Sequence, residues 1–308
     1  MIKVPLALAI PLEYNIPQRS IAPSIAVVAH MFYEDLFALY KTALLNIPFP
    51  CNLYLATDAE EKSSQLLKLF ADWTGNVEVR VVPNRGRDIA PKLVGFGHVY
   101  SDYEYVLHLH TKKQVREHGL EGWRDHLLQH LLGSRKIVEG IIHTFDTIPS
   151  LGIVAGTHFP AVKRWIGWGE NKSIAEGLAS RMAIDISEVT AINFPAGSMF
   201  WMRPAAIKPL LDLQLSLTDF PDERGQMDGT TAHAIERLYY IVCEDAGYSW
   251  LKVTTSRFAD SFRPANAFQM RWAIGAPVRE IYRPSTLRGR LKEMRLGAIR
   301  LLTGSQVP

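Results

Sequence analysis

Apolar and polar positions follow two alternating periods along the chain. The run SIAVVAHMFY (24–33) is apolar and rich in β-branched residues, which predicts a first buried strand. In EDLFALYKTALLNI (34–47), Leu36, Leu39, Tyr40, Ala43, Leu44 and Ile47 fall at helical spacing, and Pro48 and Pro50 stop the helix. CNLYLATD (51–58) predicts a second strand, AEEKSSQLLKLFADWTG (59–75) a helix closed by Gly75, and VEVRVVPN (77–84) a third strand. DIAPKLVGFGHVY reads as a helical connection despite Pro91, and YEYVLHLH as a fourth strand. GWRDHLLQHLLGS and RKIVEGIIHTF are helical, and LGIVAG (151–156) is another short strand. Strands alternating with helices predict an α/β fold with a mostly parallel sheet and helices on both faces. Ligands bind such sheets at the carboxyl ends of the strands. Each strand here ends in polar residues: His30, Asp58, Asn84 with Arg85, and His110 with Lys112.

The second half changes character. FPAGSMFWMRPAAIKPLL (194–211) reads as a strand through Met199–Met202 and then a helix. In 219–248 a polar loop precedes a long helix, with Asp228 where an N-cap belongs. SWLKV, after Gly247, is one more strand. From Leu287 to Leu302 the chain is basic and amphipathic, with Arg288, Arg290, Lys292, Arg295 and Arg300. VPLALAI (4–10) is too short for a membrane span and follows a single lysine, so it reads as a lead-in strand or arm rather than a signal peptide. The expected organisation is an arm over 1–23, an α/β domain over 24–255 and a basic extension over 256–308.

Composition narrows the class. Apolar residues at 47% and charged residues at 21% describe a folded globular chain rather than a disordered one. A net charge of +3 and a pI near 8.8 are too mild to imply a nucleic-acid partner. Cys51 and Cys243 make neither a disulfide framework nor a CxxC, which fits a reducing cytoplasm.

Three segments carry candidate chemistry. In PNRGRDIAP (83–91), Gly86 allows a tight turn between Arg85 and Arg87, whose guanidinium forks suit phosphates or carboxylates. Asp88 either caps the next helix or accepts a ligand hydroxyl, and a plain turn with solvated arginines is an equal reading. In YEYVLHLHTKK (103–113), His108 and His110 share one strand face. A metal there would need a third ligand, and Lys112 and Lys113 favour an anion instead. His108 reads as a core histidine, whereas His110 lies nearer the strand end. In ERGQMDGTTAHAIERL (223–238), Asp222, Glu223 and Asp228 form a carboxylate cluster on a loop, where a general base would be held. Asp219, Glu236 and Glu244 read as ordinary loop and helix-surface groups. Walker, zinc, dinucleotide and Gly-x-Ser-x-Gly patterns are absent from the sequence.

With VVAHMFYEDL, PNRGRDIAP, YEYVLHLHTKK, GWRDHLLQHLLGS, FPAGSMFWMRPAAI and GQMDGTTAHAIERL in order, residues 24 to about 250 resemble the rhamnan synthesis protein F family. The family consists of glycosyltransferase-like proteins of bacterial cell-surface rhamnose polysaccharide assembly. The resemblance implies a GT-A-like, Rossmann-like sheet and a hexosyltransferase using dTDP-L-rhamnose to build a rhamnan or O-antigen type polysaccharide. GT-A enzymes normally carry a metal-holding Asp-x-Asp on the strand occupied here by VLHLHTKK. His108-Leu109-His110 stands in its place, so the expectation is transfer without a cofactor, with magnesium or manganese as the alternative. The donor diphosphate would then meet Arg85, Arg87, His110, Thr111, Lys112 and Lys113. His30, Asp58, Asn84, Gly86 and Asp88 would complete the donor site, with Gly197 and Ser198 on the sugar. Inverting transfer would use Asp228 as base, with Glu223 second. The implied partners are the nucleotide sugar and a lipid-linked or growing polysaccharide acceptor at the cytoplasmic face of the cell membrane. The basic tail, outside the resemblance, reads equally as a peripheral contact to anionic lipid and as a solvated or oligomer-forming helix. Two alternatives are a non-catalytic nucleotide-sugar- or carbohydrate-binding subunit and a transferase for another nucleotide sugar.

Overall fold

A computed structural model describes residues 7–113, 119–226, 228–255 and 261–275. The basic segment 287–302 lies outside the described residues.

The predicted alternation is present. The order is β1 (Ala7–Ala9), β2 (Ile25–His30), α1 (Phe37–Leu44), β3 (Cys51–Thr57), α2 (Glu60–Leu69), β4 (Val77–Val81), α3 (Ile89–Leu93) and β5 (Tyr105–His110). Then follow α4 (Trp123–Leu132), α5 (Arg135–Thr147), β6 (Leu151–Gly156), α6 (Lys172–Arg181), β7 (Phe200–Met202), α7 (Lys208–Leu211), α8 (Thr231–Asp245), β8 (Ser249–Thr254), β9 (Ser261–Phe262) and α9 (Ala267–Gly275). Helix α6 is not evident in the sequence, because its mixed polar pattern hides its buried Ala175, Leu178 and Ala179.

The strands form one sheet of nine, ordered β4-β3-β2-β5-β7-β6-β8-β1-β9. All pairings are parallel except those of β7, which runs antiparallel to both β5 and β6. This is the mostly parallel, helix-flanked α/β sheet that the alternation predicts. Ala7–Ala9, from the expected arm, lies inside the sheet between β8 and β9.

Successive strand residues point to opposite faces, and the core divides accordingly. Val27, Ala29, Leu53, Leu55, Leu107, Leu109 and Trp201 pack with α1, α2, α4 and α5. Ala26, Val28, Val106, Ile153, Phe200 and Met202 pack with α3, α6 and α8. The same alternation sends His30, His108 and His110 toward the α3/α8 face. In the parallel β2–β5 register, Val28 pairs with His108 and His30 with His110.

Helix α8 lies close on β6 because residue 152 is glycine. A Cβ there would stand 2.6 Å from the Cβ atoms of Ala206 and Tyr248 and 2.8 Å from the sulfur of Cys243. Gly152→Ala is therefore expected to overpack this layer and cost about 1–3 kcal/mol. Chemical denaturation checks this, and a midpoint equal to wild type would show that α8 can move aside freely.

Candidate active site at the carboxyl ends of the strands

Strands β2, β3 and β5 deliver their carboxyl ends to one edge, and antiparallel β7 starts there. The loop Gly197–Met199 therefore meets the ends of β2 and β5. His108 is fully buried, with Nε2 2.5 Å from the Tyr100 hydroxyl. Burial drives its pKa well below the usual imidazole range, so it is a neutral core group, as its sequence suggests. His110 lies one pleat further on, its Nε2 2.8 Å from the Gly197 carbonyl. Assigning the proton to Nε2 makes this a donated hydrogen bond. Burial first, then the Lys92 and Lys112 charges, outweigh nearby Asp88 and lower His110 to about 4. His30 is buried beside it, lowered to about 3 by burial above all, and its Nε2 has no partner among the described residues.

PNRGRDIAP makes the turn into α3. Gly86 has φ +70°, and a Cβ there would sit 2.5 Å from that of Ala90. Arg87 follows in the same left-handed region, unusual for a side chain. Asp88 begins α3 without capping it. Its carboxylate instead accepts from Lys92 Nζ at 2.8 Å. Lys92 is completely buried and also donates to the Ser198 carbonyl at 3.0 Å. Burial pushes Asp88 up, but His110, Lys92 and His30 together hold it well below the carboxylate range. At neutral pH both imidazoles are uncharged, which leaves Lys92 as its full counter-ion.

The arginines are turned toward the protein. Arg85 pairs with Asp222 at 3.0 Å, and the two residues also form a β-bridge. Arg87 donates from Nη1 to the Gln226 carbonyl at 3.0 Å and lies 2.6 Å from His233 Nε2. Its backbone N–H donates to Glu223 at 2.9 Å. Both guanidinium groups thus join PNRGRDIAP to the loop before α8. Asn84 is exposed beside them.

Past β5, Thr111 is structural, its hydroxyl accepting from the N–H groups of Phe32 and Tyr33, both at 2.9 Å. Lys113 faces Asp35 at 3.5 Å. Asp58 is held by Lys62 at 2.7 Å, an ion pair one turn apart, at the outer rim. Lys112 differs from these. Its ammonium lies 3.9 Å from the centre of the Trp123 ring and has no carboxylate within ion-pair distance among the described residues. Burial lowers its pKa, and the more distant charges of Asp88 and Glu236 oppose that.

Three carboxylates are placed differently from the sequence reading. Thr230, not Asp228, caps α8, accepting from the His233 N–H. Asp228 Oδ1 accepts from Asn171 Nδ2 at 2.6 Å and from Arg237 at 3.0 Å, and Oδ2 accepts from the Glu170 N–H at 3.2 Å. Burial would raise it, but these donors leave it more acidic than usual. Glu236, read from sequence as a surface group, faces inward. Its Oε1 accepts from the Gly197 N–H at 2.7 Å and the Ser198 hydroxyl at 3.2 Å. Burial raises its pKa against the pull of Arg237. Gly197 can offer that N–H because its φ of +95° suits glycine, and a Cβ would meet Leu127 at 2.8 Å. Glu244 is likewise no surface group: it accepts from the Trp250 indole at 2.7 Å and burial pushes it to about 8. The sequence did hold a signal. Glu236 follows Ala232 by four positions and precedes Tyr239 by three, so it belongs to the buried stripe of α8. Lys92 was missed for the same reason, on a helix whose every residue is buried.

Among the described residues no three His, Cys, Asp or Glu side chains are grouped to hold a metal ion. His108 and His110 bond within the protein, and the Lys92 ammonium lies in their midst. That set does not fit a divalent cation.

The nine-stranded, mostly parallel α/β sheet thus gathers buried and half-buried polar groups at its strand ends. Residues 10–248 match the family of rhamnan synthesis protein F, and the chain belongs to that family. It is 35% identical over 236 residues to the uncharacterised protein WxcX of Xanthomonas campestris pv. campestris, in strains B100 and ATCC 33913 alike. The alignment takes in 76% of this chain and 33% of WxcX, so the chain spans about a third of the length of the curated relatives it matches. Among solved structures it is similar to glucosyl-3-phosphoglycerate synthase from Mycobacterium tuberculosis in complex with Mn2+, UDP and glucosyl-3-phosphoglycerate. That likeness has a TM-score of 0.33 and 11% identity, over 83% of this chain and 81% of the other. The same enzyme with UDP gives 0.33 and 10%, over 89% of each. Scores this low carry no argument about the site.

Replacing Lys92 with Met should leave Asp88 as a buried, unpaired charge and cost about 3–5 kcal/mol, much of it recovered by adding Asp88→Leu. Unfolding titrations of both variants check this. His110 makes a separate pH prediction. Its folded pKa of about 4 lies below its ordinary 6.5, so the unfolded chain takes the proton first as pH falls. The stabilisation is complete above about 6.5 and is lost toward about 4. Over that window wild type should lose more stability than His110→Gln; parallel curves would show that His110 titrates normally.

Proposed function

We propose that this chain is an inverting rhamnosyltransferase that uses dTDP-L-rhamnose to extend a rhamnan or O-antigen type polysaccharide, without a divalent metal. Family membership supports the role in polysaccharide synthesis, and the GT-A-like sheet supports sugar transfer. One observation carries the chemical reading: Lys112, a cation without a carboxylate partner among the described residues, shares the strand ends with Glu236, a half-buried acid of raised pKa.

Sugar transfer needs both. The bond between the anomeric carbon and the donor phosphate oxygen breaks, and its electron pair leaves on dTDP. A fixed cation in a site shielded from water stabilises that growing charge. Lys112 takes this role, with Lys113 and Arg87 at the rim. The acceptor hydroxyl oxygen bonds to the anomeric carbon, and its proton passes to a carboxylate whose pKa lies closer to neutrality. Glu236 suits this better than Asp228 or Glu223, because burial raises its pKa whereas Asp228 spends both oxygens on donors. Asp228 then acts through Arg237, which stands 3.0 Å from it and 3.6 Å from Glu236. Glu223 orients the Arg87 turn. Ser198 and Gly197 hold Glu236 and border the donor sugar.

The acceptor in this reading is a lipid-linked or growing chain at the cytoplasmic membrane face, with the basic segment 287–302 supplying contact to anionic lipid. Among the described residues no helix is long and apolar enough to cross a membrane. The missing Asp-x-Asp favours one other reading, a subunit that binds nucleotide sugar without turnover.

Purified protein with dTDP-L-rhamnose and a rhamnan acceptor separates the readings. Glu236→Gln should lower kcat by about 10²–10⁴ with donor affinity nearly intact. Lys112→Ala should weaken both donor binding and rate, and Asp228→Asn should cost less than Glu236→Gln. Turnover should persist in excess chelator. Full activity of Glu236→Gln removes it as base, and activity abolished by chelator and restored by magnesium or manganese removes the metal-free reading. A thermal-shift screen of nucleotide sugars tests the donor, since a ligand that binds the folded state raises its stability.

A further inference from the structure

A cavity lies along α8, away from the strand-end cluster. It has a volume of about 130 Å³ and is walled by Ala191, Asn193, Tyr240, Glu244 and Trp250, with Ile192 and Ile241 between them. A protein cavity of about 150 Å³ takes one six-membered ring, so this one has room for a single ring.

Its chemistry is specific. Tyr240 and Trp250 stack with centroids 4.1 Å apart and planes 2° apart, giving the cavity a rigid aromatic wall. The Tyr240 hydroxyl is buried and has no partner among the described residues. Glu244 uses Oε1 to accept from the Trp250 indole. Asn193 Oδ1 accepts from the Phe194 N–H and from Lys252 Nζ, both at 2.9 Å. This fixes the amide and leaves its NH₂ without a protein acceptor among the described residues. A purely apolar ligand would leave the hydroxyl and the amide unsatisfied. An anion would meet the Glu244 carboxyl, and a cation would meet the Lys252 ammonium and the amide hydrogens. A neutral ring with an apolar face and several hydroxyls matches every group.

The cavity is joined to the strand-end site in two ways. Glu244 lies eight residues beyond Glu236 on α8, about 12 Å at 1.5 Å per residue. The segment from Ala191 to Ser198 lines the cavity at one end and bonds Glu236 at the other. We propose that this cavity is a carbohydrate subsite that holds one neutral pyranose ring of the acceptor chain at a distance from the reacting end. Assigning the ring to an acceptor rests on the glycosyltransferase reading; the cavity's preference for a neutral pyranose does not.

Calorimetric titration of the full chain with methyl α-L-rhamnopyranoside and with a short rhamnan oligosaccharide tests it. Both should bind, the oligosaccharide more tightly. Tyr240→Phe removes only a hydroxyl without a protein partner, so folding should be unaffected while affinity falls about five-fold, the share of one hydrogen bond. Ala191→Leu fills the cavity from an exposed position and should abolish binding there. Wild-type protein that binds neither sugar, or variants that bind both as wild type does, would overturn the subsite. An oligosaccharide no tighter than the monosaccharide would overturn its assignment to an acceptor chain. Failure of the glycosyltransferase reading looks different: nucleotide sugars would not bind, while pyranoside binding would persist and still respond to Ala191→Leu.

Discussion

A single buried ammonium organises the strand ends. Lys92 has no contact with solvent, so its charge must be met inside the protein, and Asp88 and the Ser198 carbonyl meet it. Those bonds tie α3, at the end of PNRGRDIAP, to the loop that feeds antiparallel β7. The fixed charge also sets its neighbours. It keeps Asp88 ionised and adds to burial in keeping His30, His108 and His110 neutral.

The remaining positive charges divide into two groups. Arg85 and Arg87 serve the loop before α8, through Asp222, the Gln226 carbonyl and His233. Lys62 and Lys113 pair with nearby carboxylates. Lys112 is held over the Trp123 ring, which orients an ammonium through its face without neutralising it. Among the described residues at these strand ends, Lys112 is thus the lysine held without a carboxylate partner.

Helix α8 links the two regions of proposed chemistry. Its first turns carry His233, Glu236 and Arg237; its last turns carry Tyr240 and Glu244. Both acids are half-buried, and desolvation raises both. A helix packed tightly on β6 holds such groups more rigidly than a loop would, and the pleat of Gly152 allows that packing.

The sequence alone determined β2 to β8, most helices and the polar strand ends, because each is written in a local period of two or 3.6 residues. It also placed His108 in the core, since His108 shares its face with Val106 and not with solvent. The tertiary structure decided what those periods cannot encode. A short strand carries no direction, so only the sheet shows β7 antiparallel and β1 lodged between β8 and β9. Arg85 and Arg87 looked like phosphate ligands because their partners, Asp222, Gln226 and His233, lie more than a hundred residues away. Asp228 looked like a cap until Thr230 took that place and Asn171 and Arg237 claimed its oxygens. Glu236 looked like a surface acid until Gly197 turned its N–H inward. In each case the role of a charged side chain depends on which partner desolvates or pairs it, and that partner comes from a distant part of the chain.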